Sequence, residues 1–398
     1  MTRLHTSHVR AAAPVNRTYD AVVVGLGIMG ASALYHLTQR GLKVLGIEAG
    51  GPVHDLGSSH GETRIFRRAY WEGDWYVPLL NRSYEGWMEL HDNAPDTIAL
   101  KTGGLFVGSK RSKLVRGSRD VATRCAISHE YLDAAQIVHR FPAFRVDDDA
   151  VAVYEPDALM LFADRARLAY LSCAARGGAH IAYGQKVQNV QHGHDAVTVT
   201  TAGWVASSGA AVLTVGGWIG SFLPRDIAPL VTPMRIPVYE FDVPASHESV
   251  FLPGRFPVFL YEDADGALVY GLPKWRSVDG GVKIGFHNRQ LSPLGADLEE
   301  GYRRLPTEAE RLELWQTIRR VLPDVQNAVV RGTACVYTMS MDESFLIGRS
   351  EEIAGAVYAC ACSGHGFKFA PGIGEILAQM VADGQPQLDI SAFDPGRR

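Results

Sequence analysis

The stretch Tyr19-Asp-Ala-Val-Val-Val-Gly25-Leu-Gly27-Ile-Met-Gly30 decides the fold of this 398-residue chain. A short apolar run ends in glycines spaced as Gly-x-Gly-x-x-Gly, and a helical pattern then continues to about residue 40. A second apolar run follows over residues 43–48. This order predicts a strand, a tight turn, a helix and a second strand, which is the start of a dinucleotide-binding unit.

Each glycine of the turn has its own physical role. Gly25 allows the tight turn, Gly27 lets the backbone approach a pyrophosphate, and Gly30 lets the helix pack on the strand. The amino terminus of the helix offers unpaired N–H groups and a positive dipole to that anion. Glu48 has no positive residue beside it in the sequence, so we expect it to bind ribose hydroxyls and repel a 2′-phosphate. The turn predicts FAD or NAD and disfavours NADP.

The composition is that of an ordinary compact protein. With 46% hydrophobic and 21% charged residues, the chain can bury one large core or two medium ones. A net charge of -4 gives no overall attraction to nucleic acid or to anionic membranes. No apolar run reaches the roughly 18 residues of a membrane span. We expect residues 1–18 to form a flexible tail, the protein to be cytoplasmic, and neither nucleic acid nor membrane to be a partner.

The 5 cysteines are odd in number and contain no Cys-x-x-Cys pair. They predict neither a disulfide framework nor a zinc site, and we expect no metal. One of them, Cys335, lies in Arg-Gly-Thr-Ala-Cys-Val-Tyr at residues 331–337, downstream of the glycine turn and shortly before a second glycine-rich segment.

A loop rich in glycine, hydroxyl and arginine residues follows the second strand. Residues 57–68 read Gly-Ser-Ser-His-Gly-Glu-Thr-Arg-Ile-Phe-Arg-Arg. We expect this loop to lie over the cofactor, where an arginine can clamp a carboxylate in a bidentate way or balance charge on a reduced ring. A solvated basic face is the alternative. The candidate residues of the loop are Ser58, His60, Thr63, Arg64 and Arg67.

Two further segments carry cationic candidates. In residues 282–287 the pattern alternates, so Lys283 and His287 share one strand face, opposite an apolar face. If the polar face points into the pocket, an ammonium group is delivered there, although an outward lysine on an edge strand is common. The loop Gly364-His-Gly366-Phe-Lys368-Phe precedes a helix that starts near residue 371, whose positive end can face the pyrimidine edge of a flavin. We expect Lys368 to point to the substrate side.

The remaining patterns predict the second half of the fold. Strand-like pieces separated by Pro, Gly and Asp recur over residues 233–287 and indicate an antiparallel sheet. Thr307 and Glu310 have capping-box spacing and open a helix with Leu312, Trp315 and Ile318 on its expected apolar face. The predicted fold is α/β, with an FAD-binding Rossmann-like domain of the glutathione-reductase type over 19–95, 150–232 and 330–393. A second, α+β substrate domain on an antiparallel sheet is expected over 96–149 and 233–329.

Quoted together, these stretches resemble the monomeric sarcosine oxidase family, which includes N-methyltryptophan oxidase. The likeness covers residues 19 to about 393. It rests on the Ser-Ser-His-Gly-x-Thr-Arg-x-x-Arg loop, the Val-Lys-Ile-Gly-x-His strand, the Cys-x-Tyr-Thr-Met segment and the Gly-His-Gly-Phe-Lys-Phe loop. The resemblance implies FAD attached by a thioether at the 8α position of the ring, and Cys335 occupies the position of the attaching cysteine.

The resemblance also implies the chemistry. A secondary amine of an N-methyl or cyclic amino acid gives a hydride to flavin N5 and becomes an imine, and O2 is reduced to H2O2. By the same resemblance, Arg67 and Lys368 hold the substrate carboxylate, Arg64 and His60 line the flavin face, and Lys283 speeds the reaction with oxygen. Tyr270, His287 and Tyr337 shape the pocket around the amine. We expect a monomer whose partners are a small secondary amino acid and O2.

One departure and three alternatives remain open at this point. The loop of residues 274–281 is longer than expected and brings Trp275 and Arg276 near the entrance. A flavin dehydrogenase that uses a protein electron acceptor and a non-catalytic flavin-binding redox protein are both compatible with the motifs. A NAD-dependent dehydrogenase fits the glycine turn alone, but it does not account for the loop near the carboxyl terminus.

Overall fold

The computed structural model describes residues 18–193, 195–275, 280–295, 297–360 and 362–397. The strands are β1 (Thr18–Val24), β2 (Val44–Ile47), β3 (Thr63–Phe66), β4 (Ala99–Lys101), β5 (Gly104–Ser109), β6 (Glu130–Asp133), β7 (Ala150–Glu155), β8 (Leu159–Phe162), β9 (His180–Ala182), β10 (Val187–His192), β11 (Val197–Thr201), β12 (Val205–Leu213), β13 (Val231–Phe241), β14 (Val258–Glu262), β15 (Leu268–Leu272), β16 (Val282–Phe286), β17 (Ser292–Pro293), β18 (Val329–Ser340), β19 (Leu346–Arg349) and β20 (Ala356–Cys360). The α-helices are α1 (Ile28–Gln39), α2 (Val77–Asn93), α3 (Lys113–Arg124), α4 (Ala134–Arg140), α5 (Ala163–Arg176), α6 (Leu298–Arg303), α7 (Glu308–Ile318) and α8 (Ala370–Ala382).

The glycine turn follows β1, which is a central strand of the first sheet. Its strand order is β10-β11-β12-β1-β2-β9, with β20 beside β12 and β19 beside β20. Strands β1, β2, β9, β12 and β20 pair in parallel, whereas β10, β11 and β12 pair antiparallel. Helix α1 packs between α5 and α8 on this sheet. Because a parallel sheet is buried on both faces, its central strands are continuous apolar runs. The predicted Rossmann-like α/β fold is confirmed.

The second large sheet is mostly antiparallel. Its order is β17-β13-β16-β15-β14-β5-β7-β6, with β18 on the other side of β13. Pairing is antiparallel except between β5 and β14. The alternation predicted for β16 is present, because Val282, Ile284 and Phe286 are 0% exposed in the core behind this sheet. Lys283 consequently lies on the opposite face.

Helix α7 closes the core behind the second sheet. The predicted capping box is confirmed, because the Glu310 N–H donates to Thr307 Oγ1 over 3.2 Å and the Glu310 side chain accepts from the Thr307 N–H. The expected burial of Leu312 is wrong, since it is 37% exposed. Leu314 and Ile318 are the fully buried pair. They stand four positions apart, on one side of the helix.

Two strands depart from the predicted division into domains. Strands β7 and β18 lie in segments expected to belong to the cofactor-binding domain, yet both are hydrogen-bonded in the second sheet. The rest of the predicted division stays a prediction. As a result, Cys335 on β18 belongs to the second sheet, where it is paired with Ile236 of β13.

A small third sheet, β3-β8-β4, supports the arginine-rich loop at the junction of the two large sheets. Strand β3 contains Thr63 and Arg64 and pairs antiparallel with β8. Arg67 follows directly after β3 and is only 3% exposed. Among the described residues, no helix is both long and apolar enough to cross a membrane.

Candidate active site

The turn between β1 and α1 has the geometry that its glycines predict. Gly25 has a φ of +85°, and a Cβ added there would lie 2.7 Å from the Thr214 carbonyl oxygen. A Cβ on Gly30 would lie 1.9 Å from the Gly25 carbonyl oxygen. Neither position has room for a side chain. The turn brings the amino terminus of α1 to a large cavity, where its N–H groups are suited to a phosphate.

Glu48 lies on the wall of the same cavity, at the end of β2. Its carboxylate accepts the Leu26 N–H over 2.8 Å and the Gly50 N–H over 2.9 Å. A histidine lies close to Glu48 in the structure, with His54 Nε2 3.6 Å from the Glu48 carboxylate. Arg167 of α5, which is 2% exposed, donates to the Leu26 carbonyl oxygen over 3.3 Å. This cation arrives from a distant helix, so the sequence around Glu48 could not show it.

The cavity has a volume of about 870 Å³ and lies where the two large sheets meet. Such a volume is within the range of about 300 to 1,000 Å³ typical of ligand pockets. The site residues predicted from the sequence converge on it from seven separate segments, with the exception of Gly30, which packs behind the turn. The lining predicted residues are Gly25, Gly27, Glu48, Ser58, His60, Thr63, Arg64, Arg67, Tyr270, Lys283, His287, Cys335, Tyr337, Gly364, Gly366 and Lys368.

Arg64 braces the loop that precedes β3. Its guanidinium donates to the carbonyl oxygens of Ser58, His60 and Thr63 over 2.8, 2.7 and 2.8 Å. The same group lies 3.9 Å from Cys335 Sγ.

Cys335 stands alone on β18, half-buried and with its thiol free. The second cysteine on the cavity wall, Cys362, differs in its surroundings, because burial raises the pKa of its thiol to about 12. Of these two thiols, Cys335 is the one that faces a guanidinium at close range.

Lys283 delivers its ammonium group to the cavity between β16 and the arginine-rich loop. The Nζ atom donates to the Gly61 carbonyl oxygen over 2.7 Å and to the Thr63 carbonyl oxygen over 2.9 Å. Burial and the nearby Arg64 lower the pKa of Lys283 to about 7. Since an ammonium has three N–H groups and two are used, one remains for a molecule in the cavity.

A strained turn presents both of these carbonyl groups to Lys283. Glu62, between the two acceptors, has a φ of +61°, and the Thr63 N–H donates back to the Gly61 carbonyl oxygen over 2.8 Å. A three-residue turn closed by such a bond with positive φ is rare and strained. Strain of this kind persists where the surrounding structure holds it, often at a functional site.

Lys368 is the second lysine of the cavity and lies just before α8. It is 6% exposed, and its Nζ atom donates to the His365 carbonyl oxygen over 2.6 Å. Burial and the neighbouring charge of Arg67 lower the pKa of Lys368 to about 7. The side chains of Arg67 and Lys368 both lie on the ring of Tyr70, at 4.3 and 5.0 Å from its centroid. They form a pair of cations at one part of the cavity.

The acid that pairs with Arg67 was not predicted from the sequence. The guanidinium of Arg67 forms a buried ion pair with Glu72. Burial alone would raise the pKa of the Glu72 carboxyl, but Arg67 and the neighbouring His365 bring it below its usual value. The sequence offers only the five-residue spacing within an irregular loop as a signal. Tyr70 and His365 were missed for the same reason.

His60, His287 and Tyr270 of the cavity are neutral at physiological pH. Burial lowers the pKa of His60 and of His287 to about 4. Burial also raises the pKa of Tyr270 to about 12, and its hydroxyl is hydrogen-bonded to that of Tyr337. Positive charge in this cavity is therefore supplied by its lysines and arginines.

The loop before α8 depends on Gly364. Its φ is +79°, and an added Cβ would lie 2.2 Å from the ring of Tyr337. We expect Gly364→Ala to lower the free energy of unfolding by more than about 2 kcal/mol, from backbone strain and overpacking together. Gly184→Ala is the control, because Gly184 has a φ of +67° with nothing within 4 Å. We expect it to cost only about 1 kcal/mol. Equal losses in urea unfolding would contradict the steric part of this account.

Trp275 lies outside the cavity wall. Its ring packs edge-on against Phe162, at a centroid distance of 4.5 Å and an interplanar angle of 60°. Arg276, the other residue expected near the entrance, lies outside the described residues.

The described residues fit FAD. The phosphate-binding turn, the carboxylate of Glu48 and a cavity of this size are those expected of a site for an ADP-containing cofactor. Residues 20–380 match the FAD dependent oxidoreductase family (DAO). The chain belongs to that family.

Within the family, the chain is similar to enzymes that oxidise amines. It is 36% identical to a monomeric sarcosine oxidase of Streptomyces avermitilis over 381 residues, which cover 96% of this chain and 98% of the relative. It is 33% identical to an N-methyl-L-tryptophan oxidase of Yersinia pestis over 387 residues, covering 95% and 99%. This sarcosine oxidase-like flavoprotein is thus a flavin-dependent amine or amino-acid oxidase.

Solved structures share the fold. NikD, described as an unusual amino acid oxidase essential for nikkomycin biosynthesis, superposes with a TM-score of 0.79 at 23% identity, covering 96% of this chain and 98% of NikD. Glycine oxidase from Geobacillus kaustophilus gives a TM-score of 0.79 at 18% identity, covering 96% and 100%. At these identities the likeness shows the fold of the sarcosine oxidase-like flavoprotein and nothing finer.

Proposed function

We propose that this flavoprotein oxidises the secondary amine of an N-methyl or cyclic amino acid to an imine, with O2 reduced to H2O2. The reaction balances, because the two protons and two electrons that the amine loses are those that convert O2 to H2O2. The observation that carries the proposal is the presence of two separate groups of positively charged side chains in one cavity. Arg67 and Lys368 form one cationic cluster at Tyr70. Lys283 and Arg64 form another at the arginine-rich loop, beside Cys335.

The first cluster suits a carboxylate. Arginine offers a planar fork of donors and lysine a point charge, and both are desolvated here, so each contact with an anion is strong. Glu72 holds the guanidinium of Arg67 in place through their ion pair. Tyr270, His287 and Tyr337 lie on the wall between the clusters and shape the space for the amine. His287 is neutral at physiological pH, so it adds no charge to repel or attract the substrate nitrogen.

The cofactor would be held by the glycine turn, by Glu48 and by a thioether from Cys335. When bound, FAD supplies a two-electron acceptor at N5 for the substrate C–H bond and a donor of two electrons to O2. Ser58, Thr63, Arg64, His60, Gly364 and Gly366 line the space that the ring would take. Lys283 contributes a positive charge in a low-dielectric place, where it stabilises superoxide as that anion forms.

An anaerobic screen of secondary amino acids tests the proposal. We expect flavin absorbance to bleach with at least one N-methyl or cyclic amino acid and to remain unchanged with the matching primary amine lacking the N-alkyl group. Admission of air should restore the absorbance with one H2O2 formed per amine. Bleaching without peroxide would indicate a dehydrogenase with another acceptor. No bleaching with any amine would indicate a non-catalytic flavin-binding protein.

We also propose that the enzyme acts as a monomer in the cytoplasm. The name of the Streptomyces relative, monomeric sarcosine oxidase, supports the monomeric state. Sedimentation equilibrium of the purified protein and cell fractionation test the two points separately.

A further inference from the structure

Three buried polar groups from two segments, Tyr70, His365 and Lys368, meet at the loop before α8. Tyr70 follows β3, and its hydroxyl oxygen lies 2.6 Å from His365 Nδ1. The Nζ atom of Lys368 lies 3.4 Å from the same hydroxyl oxygen. Tyr70, His365 and Lys368 are 0%, 7% and 6% exposed. Water can therefore do little to satisfy these groups, and their mutual contacts decide where each proton points.

The proton positions follow from one carbonyl group. His365 Nε2 lies 3.0 Å from the carbonyl oxygen of Glu343, which can only accept. Nε2 therefore carries the ring proton. Burial and the charge of Lys368 lower the pKa of His365 to about 3, so the ring is neutral and Nδ1 holds a lone pair. Tyr70 must then donate its hydroxyl proton to Nδ1.

With its only proton committed, the Tyr70 oxygen presents lone pairs to Lys368. One N–H of the ammonium goes to the His365 carbonyl oxygen and a second to Tyr70. Since Lys368 lines the cavity, the third N–H is left for a molecule bound there. We propose that Tyr70, held by His365, is a positioning residue that aims this third N–H of Lys368 at the substrate carboxylate. The inference rests on the proposed function and deepens it.

Other groups around Lys368 do not replace this contact. Arg67 lies on the Tyr70 ring and is paired with Glu72. Cys362 and His287 are also near these groups, and both are neutral at physiological pH. Phenylalanine at position 70 would keep the ring on which Arg67 lies and would remove only the hydroxyl. The variant Tyr70→Phe therefore separates the effect on Lys368 from an effect on Arg67.

Acetate binding to the holoenzyme tests the inference. Titrations followed by flavin absorbance, with acetamide as the neutral isostere, give the dissociation constant as a function of pH. We expect Tyr70→Phe to weaken acetate binding about tenfold, the scale of a lost bond to a charged group, and to leave acetamide unchanged. The pH at which acetate binding is lost should also fall. Tyr70 favours the protonated lysine, so its loss lowers the lysine pKa further.

Two matched sets of variants keep the test sharp. Tyr76, whose ring lies 5.1 Å from that of Tyr70, has its hydroxyl bonded to Ser344, and we expect Tyr76→Phe to bind acetate as the wild type does. His365→Asn offers a donor and an acceptor and should restore much of the affinity lost in His365→Leu. An unchanged acetate constant and pH profile in Tyr70→Phe would overturn the inference alone. Failure of acetate to bind the wild type would overturn the carboxylate site itself.

Discussion

Lys283→Met slows the reaction of the reduced enzyme with oxygen by about 10²- to 10³-fold, the usual effect of removing one preorganised electrostatic group. The substrate-dependent reduction step should change much less. The physical reason is that Lys283 has one N–H left after its bonds to Gly61 and Thr63, and its charge lies in a dry cavity. Stopped-flow measurement of the two half-reactions separately gives both numbers. Equal losses in both would contradict the assigned role.

The same role predicts a pH dependence. The pKa of Lys283 is lowered to about 7, so the charge is present below that pH and is lost as pH rises through it. We expect the oxygen reaction to slow above pH 7 in the wild type and to be flat in Lys283→Met. Lys274→Met is the control, because Lys274 is a buried lysine that pairs with Glu248 and does not line the cavity. That variant should react with oxygen as the wild type does.

Cys335→Ala converts the enzyme to one that releases its flavin on denaturation. We expect the wild type to keep its yellow colour in the acid-precipitated pellet and the variant to lose the colour to the supernatant. Cys335 lines the cavity, and its Sγ atom lies 3.9 Å from the guanidinium of Arg64. Mass spectrometry of the denatured chain gives the same answer independently, as the presence or absence of added flavin mass.

Cys362→Ala is the control for this experiment. Cys362 lines the same cavity, but burial raises the pKa of its thiol to about 12, so little thiolate is present. We expect the Cys362 variant to retain covalent flavin. Release of colour from the wild type would refute covalent attachment, and release from the Cys362 variant alone would move the attachment to that cysteine.

Local patterns predicted local structure well. The glycine turn, the alternation that places Lys283 on the cavity face, and the capping box at Thr307 are all properties of a few consecutive residues, and the structure contains each of them. Leu312 was misplaced, because the apolar face of α7 is set by the sheet it packs on. The sheet to which β7 and β18 belong was also misplaced, because strand partners are chosen by long-range pairing.

By itself the sequence determined the dinucleotide-binding fold, the flavin family and the identity of the cationic candidates, since motif spacing fixes these within short segments. Only the tertiary structure decided what surrounds them. Glu72 neutralises Arg67, Arg167 approaches Glu48, and Tyr70 with His365 fixes the protons of Lys368. These contacts join segments far apart in the chain or within irregular loops. Buried charges take whichever partner folding brings within reach, and no local periodicity encodes that choice.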